Sequence, residues 1–244
     1  MNSHATLLPK SWSLPDSIRD RLGREPGPQR AMLEEGHLLI ILHELPLPDE
    51  HERKAALFWR NPQGEWRSNA MTGAGLPTLG NHLRGYDQKL IELETEENRA
   101  ATAAEYHQVL EQLTPVLRAS RGLHRALQQA RELMKTEREL INLRDQAAGI
   151  ERTAELLSQD AQFGLNFVQA RQAEAQAVIA RQMAATAHRL NLLAALFLPL
   201  TALASIFGMD IHSRIRDTPE NFWLICAAGI LLGIVVMILL RKKA

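Results

Sequence analysis

A carboxylate ends one apolar run of the sequence, just before a second apolar run begins. Asp210 follows Gly208 and Met209, and the preceding residues 190–208 carry no charge. Carboxylate oxygens are ligands for hard divalent cations, and a ring of them at the mouth of a pore selects cations. One helix cannot enclose a pore, so such a ring needs several subunits around a rotation axis. The sequence therefore predicts that Asp210 binds metal at an outer pore mouth, with Gly208 and Met209 beside it.

Small and polar residues recur at helical spacing before this carboxylate. The residues that share this face are Asn191, Ala194, Leu198, Thr201, Ser205 and Gly208. A pore-lining helix needs small or polar residues on one face, whereas a lipid-facing helix can be apolar throughout. Two interpretations stay open: a pore-lining face, and a small-residue packing surface between two helices. At its inner end the face could also be drawn through Ala187 and Leu190.

Two uncharged runs of the sequence have the length of membrane-spanning helices. Residues 190–208 and 222–240 contain no Asp, Glu, Lys or Arg, and ~20 apolar residues in a helix cross a ~30 Å hydrocarbon core. We expect a first transmembrane helix over 190–208, an outer loop over 209–221, a second transmembrane helix over 222–240 and a basic cytosolic tail over 241–244.

The charges that flank the two runs predict the orientation in the membrane. Basic residues are more numerous outside the pair of runs than between them: Arg181, Arg189, Arg241, Lys242 and Lys243, against Arg214 and Arg216. The positive-inside rule therefore places both termini in the cytoplasm of a protein of the inner (plasma) membrane. Residues 1–20 are too polar and too rich in Pro for a signal peptide, which agrees with a cytoplasmic N-terminus.

Composition excludes several classes of function. The single cysteine, Cys226, provides no thiol pair for a disulfide or a cysteine metal cluster. No HExxH, P-loop or GxGxxG motif occurs, and no set of aromatic residues accompanies the basic ones as in nucleic-acid binding. We expect no enzymatic activity, no cofactor and no nucleic-acid partner; the expected partners are membrane lipid and divalent cations.

Residues 1–79 predict a small α+β cytosolic unit. LPDSIRDRLG (14–23) is typical of a short helix, and HLLIILHEL (37–45) is typical of a buried strand. Residues 55–60 and 65–70, joined by Asn-Pro-Gln-Gly, predict a hairpin with Trp59 and Trp66 facing each other, in a sheet of about three strands. TGAGLPTLGN (72–81) predicts a linker.

Residues 80–189 predict a cytosolic helical bundle and stalk, rich in strong helix formers. We expect breaks at Pro115–Gly122 and at Gly149 or 158–164, giving two antiparallel helices and a third that starts near Asp160 and continues into the first span. An apolar stripe follows the third helix: Leu165, Val168, Ala175, Ile179, Met183 and Leu190. It is either one face of an intramolecular bundle or a stalk that self-associates. The acidic segment 92–98 is interpreted as a solvated helix face.

FLPLTALASIFGMD (197–210) resembles the end of the first span in CorA-type magnesium transporters, where Pro-Leu-Thr is followed by Tyr-Gly-Met-Asn. Pro199, Leu200 and Thr201 match the first element, and Gly208 and Met209 match the second. The resemblance implies a homopentameric funnel whose first span lines the pore. It also implies that the residue after Gly-Met binds a hydrated divalent cation at the outer entrance.

Two residues depart from the pattern of that family. Asp210 replaces Asn and Phe207 replaces Tyr. A ring of carboxylates would hold cations more tightly than a neutral amide ring. We therefore expect channel-like transport of divalent cations, with Mg²⁺ first. The alternatives are transport of Zn²⁺, Co²⁺ or Ni²⁺, and a non-conducting pentameric scaffold or regulator.

Overall fold

A computed structural model of the chain describes residues 7–9, 11–23, 25–46, 54–69, 76–208 and 219–243. In chain order the elements are α1 (Asp16–Arg19), β1 (Arg30–Glu34), β2 (His37–His43), β3 (Ala55–Arg60), β4 (Trp66–Ser68), α2 (Pro77–Arg99), α3 (Ala103–Leu133), α4 (Glu139–Gly208) and α5 (Pro219–Lys243). The chain divides into two compact units, Met1–Ala170 and Arg171–Ala244. The segment boundaries expected at residues 79 and 189 stay predictions.

The first unit contains an antiparallel sheet with strand order β1-β2-β3-β4. Both of its faces are covered, so the central residues of β2 are buried throughout and the strand is apolar without alternation. On one face Leu39 and Ile41 pack with Trp12 and Ile18 from the α1 segment. On the other face the sheet packs against apolar residues of α2, α3 and the first part of α4. The predicted strand at 37–45 and the predicted hairpin are confirmed.

Over the residues that the structure describes, the sheet has four strands, one more than predicted. β1 pairs with β2 through a two-residue turn, Glu35 and Gly36, with φ angles of 51° and 78°. Positive φ at both central positions is the type I′ geometry that matches the twist of a hairpin. β1 has only three apolar residues in its five-residue length, too few for a strand pattern to stand out in the sequence.

The predicted facing pair of Trp59 and Trp66 is wrong. Trp59 lies opposite Arg67, and Trp66 lies opposite Arg60, so five residues rather than four connect the two strands. A shift of one residue moves a side chain to the other face of a sheet. Trp59 therefore packs against Trp12, at 5.4 Å between ring centroids, whereas Trp66 belongs to the core on the helical side.

The predicted helix break at Pro115–Gly122 is also wrong, since α3 continues through both residues. Pro115 cannot donate to the carbonyl of Glu111, but Glu111 is exposed and its carbonyl can bond water instead. The break falls earlier, where Thr102 and Glu105 form a capping box that starts α3. The expected linker ends early as well, because α2 begins at Pro77; residues 70–75 lie outside the described residues.

α4 begins at Glu139 rather than near Asp160, and it passes through Gly149 and Gly164 without a break. Gly149 has open space around it, and Gly164 lies against the ring of Tyr106 from α3. Gly164 therefore serves close packing, whereas Gly149 is tolerated in the helix interior. The predicted continuity of the helix over residues 165–198 is confirmed.

Two glutamine amides connect α3 to the edge of the sheet. Gln29 Nε2 donates to the carbonyl of Ala119 at 2.7 Å, and Gln29 Oε1 accepts from the backbone N–H of His43 at 3.2 Å. Gln129 Oε1 accepts from the N–H of Ala31 in β1 at 3.0 Å. Gly122 makes room for Gln29, because a Cβ at this position would lie 3.0 Å from Gln29 Cδ.

His82 packs between α2 and the sheet, with ring centroids 5.5 Å from Phe58 and 5.6 Å from Tyr86. Its Nε2 atom is buried and has no hydrogen-bond partner among the described residues. Burial lowers the pKa of His82 to about 4, although a hydrogen bond with the backbone of His43 opposes the shift. The imidazole is therefore neutral in the folded state at physiological pH.

The second unit consists of the C-terminal part of α4 and α5. Every residue from 171 to 190 is exposed, and large apolar side chains are exposed along both helices. Among the described residues, the structure contains no helix with the length and apolar character needed to cross a membrane.

His82→Gln should reduce the loss of stability at acid pH. The unfolded chain takes up the proton near pH 6.5, but the folded chain does so only near pH 4. Stability from this residue is therefore full above pH 6.5 and is lost as the pH falls to about 4, by about 3 kcal/mol at most. Urea unfolding between pH 4 and 8 measures this. The exposed His107→Gln is the control, and equal pH profiles for wild type and His82→Gln would contradict the assignment.

Gly122→Ala and Gly149→Ala should differ in stability although both replace glycine within a helix. Gly149→Ala should raise the free energy of unfolding by about 0.5–1 kcal/mol, because its surroundings are open. Gly122→Ala displaces Gln29 from its partners. The free energy of unfolding of Gly122→Ala should therefore lie about 1–3 kcal/mol below that of Gly149→Ala. Denaturant unfolding of both variants checks this, and an equal gain would show that Gln29 moves aside without loss.

Candidate functional site

Gly208 is the last residue of α4. Met209 and Asp210, the other two residues of the predicted outer site, lie outside the described residues, as does His212. The structural description of the candidate site therefore concerns the face of α4 that leads to Gly208.

The small and polar residues predicted on one face of α4 share a common environment. All are exposed: Asn191, Ala194, Leu198, Thr201 and Ser205. We name these five residues the polar face. Since a residue advances about 100° around a helix, the five positions fall within a sector of roughly 80°. These five side chains are covered neither by other residues of α4 nor by α5.

α5 packs against a different side of α4. Ala195 is buried, and Leu192, Leu196 and Pro199 are half-buried. On α5 the buried positions are Gly229 and Gly233, one turn apart. The packed side of α4 is centred roughly 130° around the helix from the polar face. The packing between these two helices is thus made by residues other than those of the polar face.

The two helices make a close contact at Gly233. A Cβ at this position would lie 3.2 Å from the Cα, the carbonyl oxygen and Cδ1 of Leu196. A Cβ at these distances would press on the main chain of Leu196, so glycine favours this close approach of the helices. The sequence prediction of a second transmembrane helix over 222–240 assigned no packing role to these glycines, although the Gly-x-x-x-Gly spacing of Gly229 and Gly233 is a signal for it.

The hydroxyl of Thr201 is engaged on its donor side. Thr201 Oγ1 lies 3.0 Å from the carbonyl oxygens of both Phe197 and Leu198, to which it donates. A hydroxyl has one proton and two acceptor lone pairs, so the group presents acceptor capacity on the exposed face. Pro199 has no N–H and cannot donate to the carbonyl of Ala195, which is the local interruption in the helical hydrogen bonds.

The apolar stripe predicted on the third helix is uncovered in its C-terminal part. Ile179, Met183 and Leu190 are exposed and, with Gln182, Thr186 and Ala187, line a shallow groove of ≈ 420 Å³. No described residue of the chain covers the stretch 171–190. The interpretation of this stretch as a face of an intramolecular bundle is therefore wrong for the described residues.

The acidic segment 92–98 lies on α2, in the first unit. Partial burial raises the pKa of Glu97, and the nearby negative charges of Asp160 and Glu94 raise it further. Over the ranges that the structure describes, no group of three His, Cys, Asp or Glu residues is placed to hold a metal ion.

A small antiparallel sheet followed by long helices is also the fold of the full-length CmaX protein. That structure matches with a TM-score of 0.53 and 16% sequence identity, over 96% of this chain and 82% of the other. The structure of the CorA magnesium transporter from Methanocaldococcus jannaschii matches with a TM-score of 0.39 and 15% identity, over 90% and 80% of the two chains. No curated protein matches the sequence.

The family model described as CorA-like Mg²⁺ transporter protein matches residues 76–242. The match covers more than half of the chain, which therefore belongs to the CorA-like Mg²⁺ transporter family. The resemblance drawn from Pro199–Thr201 and Gly208–Met209 is confirmed at the level of the family. Membership implies transport of divalent cations.

Proposed function

We propose that the chain assembles as a homopentamer and conducts divalent cations, Mg²⁺ first, through a pore lined by α4. The observation that carries the proposal is the exposed polar face of α4, which leads to Gly208 and is left free by α5. Membership of the CorA-like family supports the transport function and an oligomeric assembly.

A membrane location with two spans is part of the proposal. Its support is the full sequence, in which residues 190–208 and 222–240 carry no charge. Lys and Arg are more numerous before the first segment and after the second than between the two, which supports cytoplasmic termini of a protein of the inner membrane. The segments proposed are those predicted above: 1–79 and 80–189 in the cytoplasm, 209–221 outside, and 241–244 as a cytosolic tail.

In this proposal Gly208, Met209 and Asp210 form the outer entrance, with one Asp210 from each subunit. Carboxylate oxygens at a wide entrance bind a cation that keeps its water molecules, as Mg²⁺ does. Below them, the acceptor oxygens of Thr201 and Ser205 contact the hydrated ion. A membrane potential supplies ~2.3 kcal/mol per unit charge per 100 mV, and about twice that for a divalent ion, so entry needs no nucleotide.

The packing of α5 on the side of α4 that carries Ala195 and Leu196 supports the proposal in a second way. A stripe of small residues on a helix often serves helix–helix packing. In this chain another side of α4 packs closely against α5, at Gly233. The polar face therefore remains free for a different role.

Asp210→Asn should weaken the binding of divalent cations at the entrance. Loss of the ring of charge should raise the half-saturating concentration of Mg²⁺ by about tenfold, which corresponds to 1.4 kcal/mol. The measurement is uptake of Mg²⁺, Zn²⁺, Co²⁺ and Ni²⁺ into liposomes that contain the purified protein. Asp217→Asn removes the same charge seven residues further along the chain and should leave uptake unchanged.

The alternatives give different results in this assay. Preferred uptake of Zn²⁺, Co²⁺ or Ni²⁺ would keep the pore and change the cargo. The transport proposal is wrong if neither wild type nor Asp210→Asn takes up any of the cations while native mass spectrometry shows that the protein is pentameric. That result would favour a non-conducting pentameric scaffold, the function for which the replacement of Asn by Asp210 is the motivating observation.

A further inference from the structure

The contact at Gly233 determines more than the distance between two helices. Two of the three Leu196 atoms that a Cβ at Gly233 would meet, Cα and the carbonyl oxygen, belong to the main chain. A side chain can rotate away from an added methyl group, but the main chain of a helix cannot. We therefore expect Ala at 233 to displace the helices by a few tenths of an ångström and Val by more, either by separating them or by rotating one against the other.

Rotation of α4 would change which residues are left exposed. Ala195 is 9% exposed and sits on the packed side next to Leu196. Thr201 is exposed and belongs to the polar face. Since the two sides are roughly 130° apart, a turn of α4 by a fraction of that angle moves part of the polar face toward α5.

We propose that Gly233 is a positioning residue for the polar face: by admitting the main chain of Leu196, it sets the rotation of α4 at which that face stays uncovered. The inference rests on the proposed function for its consequence, ion conduction, but its geometric content is independent of ion flow. Gly229, one turn earlier on α5, is also buried.

The test measures the chemical accessibility of single thiols in the reconstituted full-length protein. Cys226→Ser removes the one native thiol, and Thr201→Cys or Ala195→Cys then adds one on either side of α4. A water-soluble, membrane-impermeant methanethiosulfonate reagent should modify the thiol at 201 and spare the thiol at 195. In Gly233→Val the rate of modification at 201 divided by the rate at 195 should fall about tenfold, because thiolate modification requires access to water.

A matched control accounts for the added bulk. Ala228→Val adds a branched side chain at an exposed position of the same helix and should leave the ratio of rates unchanged. Gly233→Ala, which adds one methyl group, should give an intermediate ratio, and it replaces Gly233→Val in the test if the larger variant does not assemble. Mg²⁺ uptake measured in parallel should fall together with the ratio.

The results separate this inference from the proposed function. If wild type passes no ions but the ratio still falls in Gly233→Val, transport is wrong and the positioning role stands. An unchanged ratio in the assembled Gly233 variants overturns the positioning role, whether or not ions pass. So does a thiol at 201 that reacts no faster than one at 195 beside native Gly233. Loss of assembly in both Gly233 variants would indicate a purely structural residue, and would also overturn it.

Discussion

Burial of β2 on both faces is the constraint on which the first unit depends. Leu38, Ile40 and Leu42 face the helices, while Leu39 and Ile41 face the α1 segment, and all five are almost completely buried. Full burial of one such side chain contributes about 1.5–3 kcal/mol. Five together are comparable with the net stability of a whole domain, about 5–15 kcal/mol. Two layers must therefore cover the sheet, and this requirement brings α2, α3 and the start of α4 onto a sheet of only four strands.

Polar groups at the edges of this core are satisfied by particular side chains. Gln29 and Gln129 bond main-chain groups where α3 meets the sheet, and the Tyr86 hydroxyl donates to the carbonyl of His43 at 3.0 Å. Buried polar groups without such partners are costly, and the Nε2 atom of His82 is one of them. His82 is therefore a buried group that favours its neutral form and links stability to pH.

The second unit follows a different packing rule. Its helices expose large apolar side chains, and they approach each other closely where Gly233 has no side chain. Small residues that let backbones approach are typical of helix pairs in apolar surroundings. The polar face of α4 is exposed beside this packing, and the proposed role of Gly233 connects helix packing to the proposed path of the ion.

Local pattern was enough to predict the buried strand at 37–45, the hairpin, the unbroken helix over 165–198 and the family, because each depends on neighbouring residues alone. It failed at helix breaks and at strand register: Pro115 and Gly149 stay within helices, because a single Pro or Gly does not end a long run of helix formers, and one extra connecting residue places Trp59 and Trp66 on opposite faces. For the candidate site, the sequence by itself determined which residues share a helical face and that Gly208 precedes Met209 and Asp210. Only the tertiary structure decided that α5 packs on Ala195 and Leu196 and leaves the polar face open, because the Gly-x-x-x-Gly spacing marks a packing surface on α5 but does not say which side of α4 meets it.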